Sequence, residues 1–131
     1  TMSRASDIRT RFQNFPSVKE AFCTFFEEVV AEEYTESRSR GCFCINTMVE
    51  LAPHDEKFEI LTREHQMYLS IIFQETIERG IQSGELETDV NAKALAQALI
   101  VSLIGLTVIM KSRPKRSFVD NAIKEILTLL K

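Results

Sequence analysis

The chain has 131 residues, 44% of them hydrophobic and 27% charged, which is enough for one domain with its own core. It contains only 3 prolines and 4 glycines. This composition rules out disorder and favours helices over a strand-rich fold with many turns. With a net charge of −3, the chain lacks the excess of basic residues that nucleic-acid-binding domains carry, so contact with DNA would need another segment.

Cysteine usage and the first residues indicate a reducing compartment. Cys23, Cys42 and Cys44 are odd in number and lack metal-ligand spacing, and the two histidines do not complete a zinc site. The first fifteen residues contain no apolar run long enough for a signal peptide. We therefore expect a cytoplasmic protein without a metal or cofactor.

The first two predicted helices are separated by a short turn. Residues 3–14 suit the end of a helix, and we treat 1–14 as the end of a linker helix. Ser17 and Glu20 have the spacing of a capping box, which predicts a second helix to about residue 33. Its apolar residues form one inward stripe at helical spacing: Val18, Phe22, Phe25, Phe26, Val29 and Val30.

The apolar segment 41–52 is ambiguous between strand and helix. We interpret it as a short helix because Cys44, Met48 and Leu51 would share a face and Pro53 would end it.

The longest predicted helix follows, and it runs nearly to Gly84. Asp55 and Glu56 favour its start through the helix dipole. Its stripe predicts contacts on more than one side: Phe58, Leu61, His65, Tyr68 and Ile72, widened by Leu69, Phe73, Thr76 and Ile77.

Two further helices are predicted at the C-terminal end. Asn91 is a plausible N-cap for a helix from Ala92 to about Lys111, and Pro114 separates it from a final amphipathic helix. The first of the two is apolar nearly all round, with a small ridge of Ala94, Ala98, Ser102 and Gly105 and a larger ridge of Leu95, Leu99, Leu103 and Leu106.

A helix that is apolar all round needs cover on two sides. One face joins the domain's own core, and a symmetric second copy is the commonest cover for the other. We therefore predict a homodimer in which the last two helices and their mates form a four-helix bundle. The predicted interface residues are Leu99, Leu103, Leu106, Phe118, Ala122 and Ile126.

No motif supports an enzyme or a membrane span. The sequence lacks the Glu-x-x-His pairs of a di-iron site, a phosphate-binding Gly-rich loop, HExxH and a nucleophile elbow. His65 has only Glu64 beside it, and adjacent helical side chains point apart. The apolar stretch 98–110 is about thirteen residues long, against the roughly 20 that a span needs.

Four segments in this order carry a family resemblance. They are Arg40-Gly41-Cys42-Phe43-Cys44-Ile45-Asn46-Thr47-Met48-Val49-Glu50-Leu51, Ala52-Pro53-His54-Asp55, Arg79-Gly80-Ile81-Gln82-Ser83-Gly84-Glu85-Leu86 and Leu103-Ile104-Gly105-Leu106. The stretch from Pro16 to Lys131 resembles the C-terminal domains of TetR/AcrR-family transcriptional regulators.

The resemblance implies an all-α bundle of about five to six helices that dimerises through its last two helices. It also implies that residues 15–131 form a ligand-binding and dimerisation domain of a repressor. In the family an inducer bound in the helical core changes the separation of two helix-turn-helix heads and releases operator DNA. No residue before Thr1 supplies such a head, so we expect operator binding only through an N-terminal domain outside this chain.

The inducer is expected to be a small hydrophobic or amphipathic molecule. Pockets for such ligands have apolar and aromatic walls with a few polar groups. The predicted pocket residues are Phe22, Phe25, Phe26, Met48, Leu61, His65, Tyr68 and Leu69. The alternative is that this stripe is simply core, which would make the chain a helical dimerisation module without a ligand.

Cys42 carries a further alternative. It would lie at the start of the short helix, with Arg38 and Arg40 just upstream, and both features stabilise a thiolate. The domain could then sense oxidants or electrophiles. The competing interpretation is that Cys42 is a small apolar residue in a packed helix.

Overall fold

The structure is a computed structural model that describes the backbone of residues 2–33 and 56–131 and the side chains of 7–31 and 63–131. The described ranges hold five α-helices and no β-strand: α1 (Met2–Asn14), α2 (Val18–Glu33), α3 (Glu56–Ser83), α4 (Ala92–Ile109) and α5 (Arg116–Leu127). The prediction of an all-α domain is confirmed. The predicted short helix at 41–52 lies outside the described residues.

The first turn of α2 is capped by two side chains. The backbone N–H of Glu20 donates to Ser17 Oγ at 3.2 Å, which is one half of the predicted capping box. The backbone N–H groups of Val18 and Lys19 donate to the carboxylate of Glu85 at 2.7 and 3.0 Å. Ser17 Oγ donates to that carboxylate at 2.7 Å. A residue far along the chain therefore completes the cap.

These bonds also set the ionisation of Glu85. Burial alone would raise the pKa of this carboxyl, but the hydrogen bonds from Ser17 and from the backbone of Lys19 and Val18 outweigh burial. The pKa of Glu85 is consequently lower than its ordinary value.

α3 ends in a turn that a glycine makes possible. Gly84 has a φ of 87°, in the left-handed region that favours glycine, and its N–H donates to Ile81 O at 3.2 Å. Leu86 N–H donates to Gly80 O at 3.0 Å, which folds the chain back against the end of α3. The turn thereby directs the chain from α3 towards α4.

α4 begins at the predicted cap. The Asn91 side chain accepts from the Ala94 N–H at 3.0 Å. At its other end α4 continues into a 3₁₀ turn, Met110–Ser112, and Arg113 then adopts a left-handed φ of 55°. The left-handed residue and Pro114 together stop the helix before α5.

α3 is the central element of the bundle. It packs most extensively against α4 and also against α1 and α2, and α2 contacts α5 on its other side. The core contains aromatic and aliphatic side chains from all five helices: Phe12, Val18, Phe22, Phe26, Leu69, Ile72, Phe73, Ile77, Ala96, Leu99, Leu103, Leu106, Val119 and Ile123. Two buried hydroxyls, on Thr76 and Thr107, donate to the carbonyls four residues earlier at 2.8 Å, so each is satisfied within its own helix.

One helical stretch in the described ranges, Ala92–Ser112, is long and apolar enough to cross a membrane, a test that core helices of soluble proteins also pass. Only 39% of its most apolar window is buried in this protomer. Much of the apolar surface of α4 is therefore open to solvent in this protomer.

Candidate functional site

Four phenylalanines from three helices form the centre of the core. The Phe22 ring lies 5.0 Å from both Phe12 and Phe73, edge-on to Phe73 at 88°. Phe25 approaches Phe12 at 5.4 Å and Phe73 at 5.9 Å between centroids. These distances and tilts are those that aromatic pairs prefer. The stripe predicted on α2 therefore packs against α1 and α3 together.

The structure brings most of the predicted pocket residues into this core. Phe22, Phe26, Leu69 and His65 are buried, and Phe25 is partly buried against them. His65 and Leu69 lie four residues apart and share the inward face of α3. The arrangement offers apolar walls and one imidazole. Whether a ligand enters it stays a prediction.

Tyr68 does not lie with the other predicted pocket residues. Its side chain is 38% exposed, and it shares the outer face of α3 with Met67 and Ile71, which are also exposed. Each residue turns a helix by about 100°, so a residue next to buried Leu69 is carried away from the core. Met48 and the side chain of Leu61 lie outside the described residues, as does Cys42.

The structure places the predicted dimer residues of α4 inside the protomer. Leu99, Leu103 and Leu106 belong to the protomer's own core, and Leu103 is only 1% exposed. The large ridge of α4 therefore packs within the protomer, and the dimer surface itself stays a prediction. On α5, Phe118 is 56% exposed, whereas Ala122 and Ile126 are partly buried.

The face of α4 that points to solvent is a different row of residues. We call it the outer stripe: Ala94, Ala98, Val101, Gly105 and Val108, all of them exposed. Their spacing alternates between four and three residues, the pattern by which one helix packs along another. Val101 is 69% exposed, and a Cβ added at Gly105 would meet nothing within 4 Å. Nothing inside the described protomer thus requires a glycine there.

A groove that the sequence did not reveal lies between α2 and α5. It has a volume of about 740 Å³ and is lined by Cys23, Thr24, Glu27, Glu28, Ala31, Arg116, Asp120, Ile123, Lys124 and Leu127. Cys23, Glu27 and Ala31 follow one another at i, i+4 and i+8 on the side of α2 away from the phenylalanines. This mixed polar row does not stand out in a hydropathy pattern, which is why it escaped prediction.

The groove is not arranged for nucleophilic chemistry. Burial raises the pKa of the Cys23 thiol, and the charge of Glu27 and a hydrogen bond to it raise it further. Cys23 Sγ donates to Glu27 at 3.5 Å, so its surroundings disfavour the thiolate, the reactive form. Arg116 pairs with Asp120 at 3.2 Å, and Glu28 pairs with Arg11. Five of the groove's charged or thiol side chains are thus already partnered.

Metal-ligating side chains do not cluster within the described ranges: no group of three or more His, Cys, Asp or Glu residues could hold an ion there.

Comparisons with known proteins agree with this fold and add a family. The sequence model described as "Tetracyclin repressor-like, C-terminal domain" matches residues 20–126, which is most of the chain. An uncharacterized HTH-type transcriptional regulator of Bacillus subtilis (strain 168), YezE, is 33% identical over 105 residues. That match covers 79% of this chain and 54% of the relative, so the chain spans about half the length of that regulator.

A solved structure resembles the fold. The crystal structure of a TetR-family transcriptional regulator from Cytophaga hutchinsonii superimposes with a TM-score of 0.76 at 18% identity. The superposition covers 95% of this chain and 62% of the other. At 18% identity the superposition shows a shared fold. The match of the sequence model over residues 20–126 shows the family. The chain belongs to the TetR family of transcriptional regulators, a family of regulators and not of enzymes, and represents its C-terminal domain.

Proposed function

We propose that this domain is the effector-binding and dimerisation part of a cytoplasmic TetR-family repressor. In this proposal two copies associate through α4 and α5, and a small hydrophobic or amphipathic inducer binds in the core between α2 and α3. Binding weakens the hold of the whole regulator on operator DNA, which a helix-turn-helix segment outside residues 1–131 would contact.

The outer stripe of α4 is the observation that carries the dimer. Five exposed small or apolar residues at four-three spacing form a continuous seam on a helix whose other face is fully packed. Ile109 on α4 and Phe118 on α5 expose further apolar surface. Exposed apolar surface of this extent marks an interaction site, and a second copy supplies an identical seam. Small residues at Ala98 and Gly105 would let the two α4 helices approach closely.

The dimer can be tested on the outer stripe itself. Sedimentation of the wild-type chain at micromolar concentration should give twice the monomer mass. Val101→Glu should give a folded monomer, because the carboxylate would face its own symmetry mate. A matched control is Lys93→Glu, a charge change at an exposed residue near the start of the same helix. A wild-type monomer, or a Val101→Glu dimer, would contradict the proposal.

The inducer site rests on the buried imidazole of His65, one turn before Leu69 on α3, and on the buried phenylalanines of α2. A polar ring among apolar walls is the composition that small-molecule sites use. The inducer needs to prefer the state that does not bind DNA by only about 1–3 kcal/mol, the usual coupling between two sites.

A thermal-shift screen of hydrophobic and amphipathic compounds tests this site. A ligand at 100 times its dissociation constant should add about 2.7 kcal/mol of stability. The stabilising effect should be lost in His65→Ala and kept in Tyr68→Ala, since His65 is buried whereas Tyr68 lies at the exposed edge of the same stripe. If no compound stabilises the domain, the result would favour the alternative, a helical dimerisation module without a ligand. If both variants respond alike, the site lies elsewhere.

DNA binding supplies a separate test. This chain should show no sequence-specific binding, because its charge is −3 and the proposal assigns operator contact to another segment. The full-length regulator should bind a palindromic operator as a dimer. A specific complex of the 131-residue chain with duplex DNA at physiological salt would count against the proposal.

A further inference from the structure

The end of α3 is bonded to the backbone of the α1–α2 connection. Arg79 donates from Nη1 to Phe15 O at 2.8 Å and from Nη2 to Phe12 O at 2.9 Å. The last carbonyls of a helix have no partner within the helix, and a cation near them is favoured by the helix dipole. The forked guanidinium bonds one carbonyl in the last turn of α1, that of Phe12, and one just past the end of the helix, that of Phe15. Arg79 therefore holds the end of α1 by its backbone.

Six residues further on, Glu85 holds the start of α2 in the complementary way. Its carboxylate accepts from Ser17 Oγ and from the backbone N–H groups of Val18 and Lys19. An anion is favoured at a helix N-terminus as a cation is at a C-terminus. One short segment at the end of α3 thus anchors both helix ends that flank residues 15–17.

The residues around this anchorage are closely packed. A Cβ added at Gly80 would lie 2.9 Å from the Leu86 side chain and 3.2 Å from Val18 Cγ2. Glu87 N–H donates to Lys131 O at 2.8 Å, which ties the C-terminal residue to the same turn. The end of α3 therefore packs directly against the start of α2.

α1 is held along α3 as well as at its end. Arg9 approaches Glu75 at 3.5 Å, and Phe12 packs on Phe73 at 5.5 Å. The Arg11–Glu28 pair with α2 joins two half-exposed side chains, and such pairs contribute little. His65 and Arg79 are fourteen residues apart on α3, which corresponds to about 21 Å of helix. The same helix thus carries the inward imidazole at one position and the grip on α1 at the other.

We propose that Arg79 and Glu85 are positioning residues that form a junction latch, through which α3 sets the position of α1. The latch consists of these two side chains and their partners at Phe12, Phe15, Ser17, Val18 and Lys19. A displacement of α3 near His65 would move α1 with it, because Arg79 is hydrogen-bonded to backbone carbonyl oxygens and not to a mobile side chain. The regulatory meaning rests on the proposed function, with the DNA-reading segment placed before α1 as the family resemblance implies.

Amide hydrogen exchange on the chain, without effector or DNA, tests the latch. In Arg79→Gln the amides of residues 8–14 should exchange about tenfold faster or more, the scale of losing hydrogen bonds from a charged donor. The amides of residues 72–77 in α3 should stay within about twofold of wild type. Arg79→Lys keeps the charge without the fork and should lie between the two. Glu85→Gln should accelerate the amides of Val18 and Lys19, and Glu87→Gln, with the same charge change in the same turn, should not.

A double-mutant cycle tests the coupling between His65 and the latch. His65→Ala should alter exchange in residues 8–14 when Arg79 is present and add nothing in the Arg79→Gln background. Equal acceleration of residues 8–14 and 72–77 in Arg79→Gln and Arg79→Lys would mean that Arg79 only stabilises the fold and would overturn the proposal. Additive effects in the cycle would overturn it too. Neither readout needs an inducer, a dimer or an operator, so failure of the proposed function leaves this test intact.

Discussion

α2 and α4 are both rich in apolar residues, but the protomer treats them differently. On α2 the apolar stripe is absorbed by the core, with Phe22 completely buried and Phe25 in ring contact with its neighbours. On α4 the large ridge is absorbed in the same way, while Val101 two residues from Leu103 is 69% exposed. Substituting an apolar residue of the α2 stripe should therefore change the stability of the protomer. Substituting one on α4 should change either stability or association, depending on the face of the helix on which it lies.

The sharpest test of this contrast uses one substitution at two positions on α4. Leu103→Glu should unfold the protomer, because it would bury a carboxylate without a partner at a cost of roughly 4 kcal/mol or more. Val101→Glu should leave helicity unchanged and abolish association. Circular dichroism and sedimentation on the two variants distinguish these outcomes. The contrast fails if the two variants behave alike.

Truncating one phenylalanine on α2 and one on α5 should give the next largest difference. Phe22→Ala should lower the free energy of unfolding by about 3–5 kcal/mol, since it removes a fully buried ring and leaves a cavity. Phe118→Ala removes a ring that is 56% exposed and should cost less than about 1 kcal/mol. Urea unfolding in a monomeric Val101→Glu background keeps association out of the comparison. Similar losses for both rings would contradict the burial pattern.

The capping of α2 by Glu85 adds a pH dependence to that region. A lowered pKa in the folded state means that the contribution of Glu85 is fully present above its unfolded pKa and is lost as pH falls through the folded value. Glu85→Gln should therefore cost about 1.5 kcal/mol at pH 7, and the difference from wild type should shrink below about pH 4.5. Urea unfolding as a function of pH measures both, with Glu87→Gln as the control. A loss that does not change with pH would show that the carboxylate charge is not what stabilises the cap.

The smallest expected effect is that of Gly105→Ala, which should stabilise the folded monomer but weaken the dimer. Gly105→Ala should stabilise the monomeric Val101→Glu protomer by about 0.7 kcal/mol, because alanine is the better helix former and a Cβ there meets no neighbour. In the otherwise wild-type chain it should weaken the dimer if two α4 helices approach at Gly105. Unfolding and sedimentation equilibrium measure the two effects. If the dimer dissociation constant is unchanged, the two α4 helices do not approach each other at Gly105.

Much of the fold was predictable because it follows from local rules. Helical spacing predicted the stripe on α2 and the inward positions of His65 and Leu69, and the Asn91 cap was readable from its residue type. The family segments led to the TetR assignment, which the match over residues 20–126 confirms. The exposure of Tyr68 was not predictable, because a wide apolar stripe in a sequence does not show where its buried part ends, and on α3 that edge falls between Tyr68 and Leu69.

The sequence by itself determined which of the described segments are helical, where α2 and α4 begin, and that α4 carries more apolar surface than one face can bury. Only the tertiary structure decided which row of α4 faces inwards, because Leu103 and Val101 are equally hydrophobic in a pattern and differ only in what packs against them. It also decided that Glu85 caps α2 and Arg79 holds α1, since these bonds join residues more than sixty positions apart. Local spacing cannot specify such contacts, because they exist only once α3 has packed beside the α1–α2 connection.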